Sequence, residues 1–395
     1  MSRTTSRDGI LKVGPRYYRV FIELPKTVDG VRRRESHTVR GTLELAKAKR
    51  AQLVAEKSRG TYVGRSEQRL DDYLESWLSW KQSQVSERTW ERYASLLRSS
   101  VIPALGAMRL QDLTAQHLDE FYARCLKTEA GQKKESKLSP TTVHHRHVAL
   151  KMALERAVEI GVLSRNPAQF TSPPRPARPE MRMLSEDEAH ALLAALVGTP
   201  AELAAYLALT TGARLGELLA LRWSDVDLDA GVARIRRTVV EHMVGQGRQS
   251  WYSFKEPKSG HGRSVDLGGA TIARLKAHRK AHAEFRLAAG ADDWTDLDLV
   301  IASRSGAPFR PSTTSGWFRN VVADTGLEGV RFHDLRHAHA TFLLKAGTPP
   351  HVVSRRLGHS TVAFTLQVYA HVLPGQQREA AEAIEATLLG DIAAK

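Results

Sequence analysis

Residues near the carboxyl end of the chain have the types and spacing needed for chemistry on a phosphate. His333 and Arg336 are three positions apart, so on a helix they share a face and can reach one ligand. His359 follows in a Leu-Gly-His sequence, and Tyr369 comes ten positions later. A guanidinium fork fits a phosphate, an imidazole can transfer a proton, and a phenol can act as a nucleophile. This stretch predicts a site that cuts a phosphodiester and holds the strand on tyrosine.

Two basic residues earlier in the chain are candidates for the same site. The apolar stretch Glu202–Thr211 predicts a buried helix that leads into Thr-Gly-Ala-Arg-Leu-Gly-Glu, which contains Arg214 and Glu217. A charged side chain there is costly unless it is paired or meets an anion. Lys258 lies in a Pro-Lys-Ser-Gly turn, at the predicted tip of a β-hairpin. Taken singly, Lys258 would most often be a solvated turn residue, and Arg214 would most often form a structural ion pair with Glu217.

The histidine spacing also permits a metal-site hypothesis. His333 and His337 occupy positions i and i+4, as in zinc-protease helices, and His339 adds a third imidazole. That pattern normally has glutamate in second place, where this chain has Asp334. We therefore favour phosphoryl transfer over zinc and expect no metal and no other cofactor.

Composition indicates a globular protein with a polyanionic partner. The 395 residues are sufficient for two or three domains, and 42% of them are hydrophobic. No apolar run approaches the length of a membrane span, and the opening MSRTTSRDGI lacks the apolar core of a signal peptide. We expect a cytoplasmic protein, with no membrane partner. The single cysteine excludes an internal disulfide, and the net charge of +15 points to nucleic acid.

The basic character is concentrated in residues 1–65, which we predict to form a DNA-binding domain. This segment holds sixteen Lys or Arg residues against six Asp or Glu residues. Alternating apolar residues and an Asp-Gly turn predict two paired strands of a small sheet, and Thr42 is positioned to cap a following helix. We expect a three-stranded sheet with one helix. Such a sheet can place a strand face in a DNA groove. The arginines predicted to contact DNA are Arg19, Arg32, Arg34 and Arg40.

The rest of the chain predicts two further domains. Residues 66–165 have the apolar stripes of a helical domain, in which Lys133 and Lys134 are further candidates for phosphate contact. Residues 166–180 are rich in proline and read as a linker. Residues 181–395 mix helices and short strands around the chemical motifs. The predicted fold class is mainly α with small β-sheets, an α+β chain.

The motifs together resemble those of the tyrosine recombinases, the family of phage integrases and Xer-type enzymes. Arg214, Lys258, the His-Asp-Leu-Arg-His sequence at 333–337, His359 and Tyr369 follow the family order. The resemblance implies an arm-type DNA-binding domain at 1–65, a helical core-binding domain at 66–165 and a catalytic domain at 181–395. It identifies the chain as a site-specific recombinase for a phage or integrative element.

The resemblance also implies a role for each motif residue. Arg214 and Arg336 would clamp the scissile phosphate, and His359 would hydrogen-bond it. Lys258 would protonate the leaving 5′ oxygen. His333 would exchange a proton with the phenol of Tyr369, which would attack to give a 3′-phosphotyrosine. No ATP or metal would be needed, since the covalent bond retains the energy of the phosphodiester.

The implied partners are double-stranded DNA with core and arm attachment sites, and further copies of the chain in a tetramer. The C-terminal helix predicted at 376–389 would pack on a neighbouring subunit. An excisionase and a host DNA-bending protein are candidate accessory partners. Two other hypotheses stay open: a DNA-binding protein that has kept the fold without cutting, and a tyrosine-type topoisomerase, which needs neither paired sites nor an arm domain.

Overall fold

The structure is a computed structural model that describes residues 9–24, 33–59, 62–127, 138–176, 182–244, 249–256, 262–289, 294–369 and 376–389. It divides into two compact units, Met1–Pro179 and Glu180–Lys395. The prediction of a mainly helical chain with small antiparallel sheets is confirmed. Within the described ranges, no helix has both the length and the apolar character required to cross a bilayer.

The first unit begins with a three-stranded antiparallel sheet and one helix. Its elements are β1 (Ile10–Gly14), β2 (Tyr17–Leu24), β3 (Arg33–Arg40) and α1 (Leu43–Ser58). Thr42 caps α1 as predicted, because its side chain accepts a hydrogen bond from the Leu45 amide. One face of the sheet packs on this helix through Val20, Ile22, Ala46 and Leu53, all buried.

The opposite face of this sheet contains the described members of the predicted arginine set. In the β2–β3 register, Arg40 lies opposite Tyr17, Thr38 opposite Arg19, and Arg34 opposite Glu23. Directly opposed residues project from the same face of an antiparallel sheet, so Arg19, Arg34 and Arg40 share the face that α1 leaves uncovered. All three side chains are exposed.

A helical bundle completes the first unit. Its helices are α2 (Leu70–Gln82), α3 (Glu87–Leu96), α4 (Ile102–Leu105), α5 (Ala115–Leu126) and α6 (Pro140–Glu159). The apolar stripes identified in the sequence form its core, which includes Leu74, Trp77, Phe121, Leu150 and Leu154. Residues at the start of the predicted linker belong to this unit, since Asn166 and Ala168 are buried against the bundle.

The second unit mixes helices with two small sheets. Its helices are α7 (Glu186–Ala195), α8 (Glu202–Thr211), α9 (Leu215–Leu218), α10 (Gly269–Ala289), α11 (Pro311–Asp324), α12 (Asp334–Lys345), α13 (Pro350–Leu357), α14 (Val362–Tyr369) and α15 (Gln376–Leu389). Its strands are β4 (Val226–Asp227), β5 (Val232–Ile235), β6 (Thr238–Val244), β7 (Gln249–Lys255) and β8 (Arg263–Asp266). The strands form one sheet in the order β4-β5-β8 and a separate β6-β7 hairpin.

Helix α12 is central to this unit because it contributes to two apolar clusters. Leu335 and Ala338 join the main core, which includes residues of α8, α11 and the β4-β5-β8 sheet. Later in the same helix, Ala340 and Leu344 join a smaller cluster with Val353, Leu357 and Tyr369. The helix therefore fixes the polar residues of its first turn relative to α8 on one side and to α13 and α14 on the other.

Candidate active site

The site begins at a tight turn that only glycine fits. Helix α8 ends at Gly212, which adopts a left-handed conformation with φ of +68°. A Cβ atom there would lie 2.6 Å from Cδ2 of His339 and 2.7 Å from Cδ2 of Leu357. Both contacts are closer than carbon atoms tolerate, so the missing side chain lets three chain segments converge.

Arg336 joins these segments through its guanidinium group. Its Nη1 donates to the carbonyl oxygen of Gly212 at 2.6 Å, and its Nη2 donates to that of Leu357 at 2.7 Å. The residue is only 3% exposed. A guanidinium has five N–H donors, so two carbonyl partners fix its plane and leave donors for an anion.

Arg214 is held beside this group by a buried carboxylate. It caps the amino end of α9, and its Nη1 lies 2.9 Å from Oε1 of Glu217. Arg263, on β8, binds the same carboxylate through Nη2 to Oε2 at 2.7 Å. Burial alone would raise the pKa of Glu217, but the hydrogen bonds and charges of Arg263 and Arg214 hold it below its ordinary value. Both the ion-pair and the anion-site interpretations of Arg214 are therefore compatible.

Positive charge exceeds negative charge at this site. Burial, followed by the charges of Arg214 and Arg263, lowers the pKa of Arg336 to about 9. Arg336 stays charged at neutral pH, and the lowering of its pKa by Arg214 and Arg263 is opposed by only one carboxylate, that of Glu217. A bound anion would restore the balance, and a phosphate matches the fork geometry of arginine.

Two predicted histidines border the cationic cluster. Burial, followed by the charges of neighbouring residues, lowers the pKa of His333 and of His359 to about 4, so both are neutral at pH 7. His359 lies with Nδ1 2.7 Å from Oγ1 of Thr365. His333 precedes α12 as its N-cap residue. An anion bound here would offset the neighbouring positive charges and so raise the pKa of both imidazoles, which favours their protonated form.

Tyr369 is buried and contacts His337, whereas the sequence analysis expected a contact with His333. Its phenol oxygen lies 2.7 Å from Nδ1 of His337, and the residue is 1% exposed. Burial raises the pKa of Tyr369 to about 12, and the charge of Arg336 opposes this rise. The sequence analysis expected His333 to exchange a proton with the phenol, but the imidazole hydrogen-bonded to it is His337. His333 instead lies edge-on to His337, with ring centroids 5.0 Å apart.

The geometry weakens the zinc hypothesis because His339 is fully engaged elsewhere. Its Nδ1 bonds the carbonyl oxygen of Leu209 at 2.7 Å, and its Nε2 accepts from Nε of Arg356 at 3.2 Å. Both ring nitrogens are occupied, so His339 is not available as the third ligand beside His333 and His337. Its role is to connect α12 to α8 and α13.

Several predicted residues lie outside the described part of the chain: Lys258, Arg32, Lys133 and Lys134. The hairpin expected to present Lys258 is corrected by the strand pairing. β7 pairs with β6, and β8 pairs with β5, so within the described residues the strands before and after Lys258 do not pair with each other. The segment that contains Lys258 precedes β8, whose first residue, Arg263, binds Glu217 at the site.

Sequence reasoning missed His337 and Arg263 as members of the site. His337 was visible only as half of a metal pattern, although its position directly after Arg336 places it on the same helical turn. Arg263 had no local signal. It reaches the site because the pairing of β5 with β8 places it there, next to Glu217.

Parts of both units match models of known protein families. Residues 182–376 match the phage integrase family, and residues 69–126 match the phage integrase N-terminal SAM-like domain. A tyrosine recombinase XerC-like protein of Caldanaerobacter subterraneus subsp. tengcongensis is 26% identical, covering 96% of this chain and 98% of the relative. An integrase of Streptomyces ambofaciens is 30% identical over 82% of this chain and 81% of the relative.

Solved structures share the fold at lower identity. The Tn1549 transposon integrase in complex with a circular intermediate DNA is 20% identical, with a TM-score of 0.64 over 80% of this chain and 100% of that one. The lambda integrase tetramer bound to a Holliday junction is 18% identical, with a TM-score of 0.56 over 91% of this chain and 97% of that one.

Proposed function

Because the chain belongs to the phage integrase family and is a tyrosine-type site-specific recombinase, we propose that Arg214 and Arg336 bind the phosphate at which its DNA substrate is cut. Enzymes of this type cut and rejoin DNA through a 3′-phosphotyrosine intermediate, and this one serves integration or excision of a phage or integrative element. The observation that carries the assignment is the position of Arg336, whose guanidinium is locked between Gly212 and Leu357.

The two arginines stabilise charge that grows during the reaction. Attack on phosphorus creates a pentacoordinate transition state with more charge on the non-bridging oxygens than the ground state has. Guanidinium groups already fixed by Glu217, Gly212 and Leu357 need no reorganisation to meet that charge. His359, at the edge of the same cluster, adds a hydrogen bond to the phosphate, and His333 lies against the ring of His337.

Tyr369 is the proposed nucleophile, and Lys258 is the proposed acid. As the phenol oxygen bonds to phosphorus, the bond to the 5′ oxygen breaks, and Lys258 supplies the proton that this oxygen needs. The strand is then held on the enzyme as a 3′-phosphotyrosine. Attack by a 5′ hydroxyl reverses the step and rejoins the DNA. The cycle therefore requires neither ATP nor a metal ion.

The proposed partners follow from the domain plan. We assign residues 1–65 to arm sites, 66–165 to core sites and 181–395 to catalysis, with 166–180 as the connection. Assembly of four chains on DNA is supported by the fold shared with the lambda integrase tetramer. An excisionase and a host DNA-bending protein would control direction, and the place of action would be the bacterial cytoplasm, at the nucleoid.

The test of this proposal uses a core site nicked close to the cleavage position, so that the short fragment carrying the new 5′ hydroxyl diffuses away and the covalent complex accumulates. Wild-type protein should form an adduct that survives denaturing electrophoresis, and peptide mass spectrometry should locate the nucleotide on Tyr369. Tyr369→Phe should bind the site normally and form no adduct. Tyr252→Phe, at an exposed strand position, serves as the matched control and should react normally. An adduct in Tyr369→Phe would refute the assignment.

A further inference from the structure

We propose that His337 is a catalytic residue of this recombinase, the general base that takes the phenolic proton of Tyr369 when the phenol oxygen attacks phosphorus. This inference rests on the proposed role of Tyr369 as nucleophile. It assigns the proton step to the imidazole in contact with the reacting oxygen, in place of His333, which the sequence pattern had suggested.

The contact itself is the main evidence. Nδ1 of His337 lies 2.7 Å from the phenol oxygen, within the 2.6–3.2 Å typical of a base and the proton it removes. The two residues are 32 positions apart and meet because α12 and α14 pack on the same apolar cluster, which includes Ala340, Leu344 and Tyr369. That packing fixes the phenol against the imidazole.

The charges around His337 suit a base that must be neutral before the reaction. Its pKa is lowered by burial, then raised by Asp334 and lowered by Arg336 and Arg331. Among the described residues, His333 and Tyr369 also contact its ring, and His359 is close enough for the two imidazoles to affect each other electrostatically. A neutral imidazole with a free Nδ1 lone pair accepts the phenol hydrogen bond, and the Asp334 carboxylate stabilises the imidazolium that forms.

The proton balance of the step is complete. The O–H bond of Tyr369 breaks, the proton goes to Nδ1 of His337, and the phenol oxygen bonds to phosphorus as the 5′ oxygen departs with a proton from Lys258. A free phenol with a raised pKa is a poor nucleophile, but its acidity increases as its oxygen bonds to phosphorus, so transfer accompanies attack. In the rejoining step, the imidazolium returns the proton to the departing phenol.

The decisive experiment distinguishes a His337 that removes the phenol proton from one that only accepts a hydrogen bond from the phenol. In His337→Asn, the amide oxygen can occupy the place of Nδ1 and accept the same hydrogen bond, but it cannot take the proton. Adduct formation on the nicked core site should slow by about 10²–10⁴-fold, with DNA binding and melting temperature close to wild type. His351→Asn, an exposed position on α13, is the matched control and should be unaffected.

A second measurement tests the chemistry directly. Replacing Tyr369 with 3,5-difluorotyrosine gives a more acidic phenol that depends less on a base. The fluorinated nucleophile should recover much of the rate lost in His337→Asn and little of that lost in Arg336→Lys. Wild-type rates in His337→Asn, or equal recovery of both variants, would overturn the proposal. A failure of Tyr369 itself as nucleophile would show separately, as an adduct persisting in Tyr369→Phe.

Discussion

Arg263 donates two hydrogen bonds to the carboxylate of Glu217, from Nη2 at 2.7 Å and from Nη1 at 3.2 Å. The Glu217 side chain is 2% exposed and that of Arg263 is 8% exposed. The same carboxylate also orients Arg214, so this buried pair determines where a proposed phosphate-binding arginine points. Glu217 thus supports both the fold and the site.

Neutralising Glu217 should therefore lower both the stability of the fold and the activity of the site. Removing one partner of a buried ion pair leaves uncompensated charge and typically costs about 3–5 kcal/mol. We expect Glu217→Gln to lower the free energy of unfolding of the second unit by about 3 kcal/mol and to slow adduct formation, because Arg214 loses its anchor. Chemical denaturation and the nicked-site assay measure the two effects.

Asp296→Asn provides the matched control for this loss. Asp296 pairs with Arg286 at 2.7 Å, but the two side chains are 54% and 57% exposed. Exposed pairs contribute about 0–1 kcal/mol. Equal destabilisation by Glu217→Gln and Asp296→Asn would contradict the role given to the buried carboxylate.

Cleavage should persist in excess EDTA. Arg214, Arg263 and Arg336 already provide, in this site, the positive charge that Mg²⁺ or Zn²⁺ supplies in many other phosphoryl-transfer enzymes. The rate of adduct formation on a nicked core site should be the same with and without the chelator. Loss of activity that zinc restores would return His333 and His337 to consideration as metal ligands.

Lowering the pH should decrease the free energy of unfolding of the second unit, because His339 must be neutral in the folded state. Its neutral form is required by two hydrogen bonds, one to the carbonyl of Leu209 and one from Arg356. Burial, opposed by the hydrogen bond to Leu209, lowers the pKa of His339 from 6.5 to about 4. A histidine with a lowered pKa takes up a proton on unfolding, so its contribution is fully present above pH 6.5 and is lost as the pH falls toward 4.

The size of this effect follows from the shift in pKa. At about 1.4 kcal/mol per pKa unit, His339 accounts for at most about 3 kcal/mol between pH 6.5 and 4. Thermal melts over that range should show a shallower pH dependence for His339→Gln than for wild type. His351→Gln, an exposed position on α13, should retain the wild-type slope. Identical slopes in all three proteins would contradict the prediction.

The sequence predicted features that depend on neighbours along the chain. The Thr42 cap, the buried helix Glu202–Thr211 and the shared face of His333 and Arg336 each follow from spacings of a few residues. Contacts formed by packing had no such signal. His337 meets Tyr369 across 32 positions, and Arg263 meets Glu217 across 46.

The predicted Lys258 hairpin failed for a related physical reason. Strand propensity identified β7 and β8, but it does not state which neighbour a strand pairs with. In the structure, β7 pairs with β6 and β8 pairs with β5. The pairing of β8 with β5 places Arg263 at the site. Local patterns therefore located the chemical residues, whereas tertiary packing decided which of them touch.

The arginine face of the N-terminal sheet should bind arm-site DNA through its phosphates. Arg19, Arg34 and Arg40 project from one exposed face, and α1 covers the other. Each neutralised phosphate adds roughly −0.9 to the slope of log affinity against log salt concentration. Changing all three arginines to glutamine should weaken arm binding and make this slope shallower by about 2–3. Arg34 should contribute least, because Glu23 lies 4.0 Å from its guanidinium.

The matched control removes three positive charges from the exposed side of α1 and its C-terminal end: Lys47, Lys57 and Arg59, each changed to glutamine. Both triple variants carry the same net charge, so a difference between them reports position and not overall electrostatics. Deleting residues 1–65 should likewise spare cleavage of an isolated core site while abolishing recombination between full sites. If the sheet were only a solubilising segment, the two triple variants would lose affinity equally and the truncated protein would recombine full sites normally.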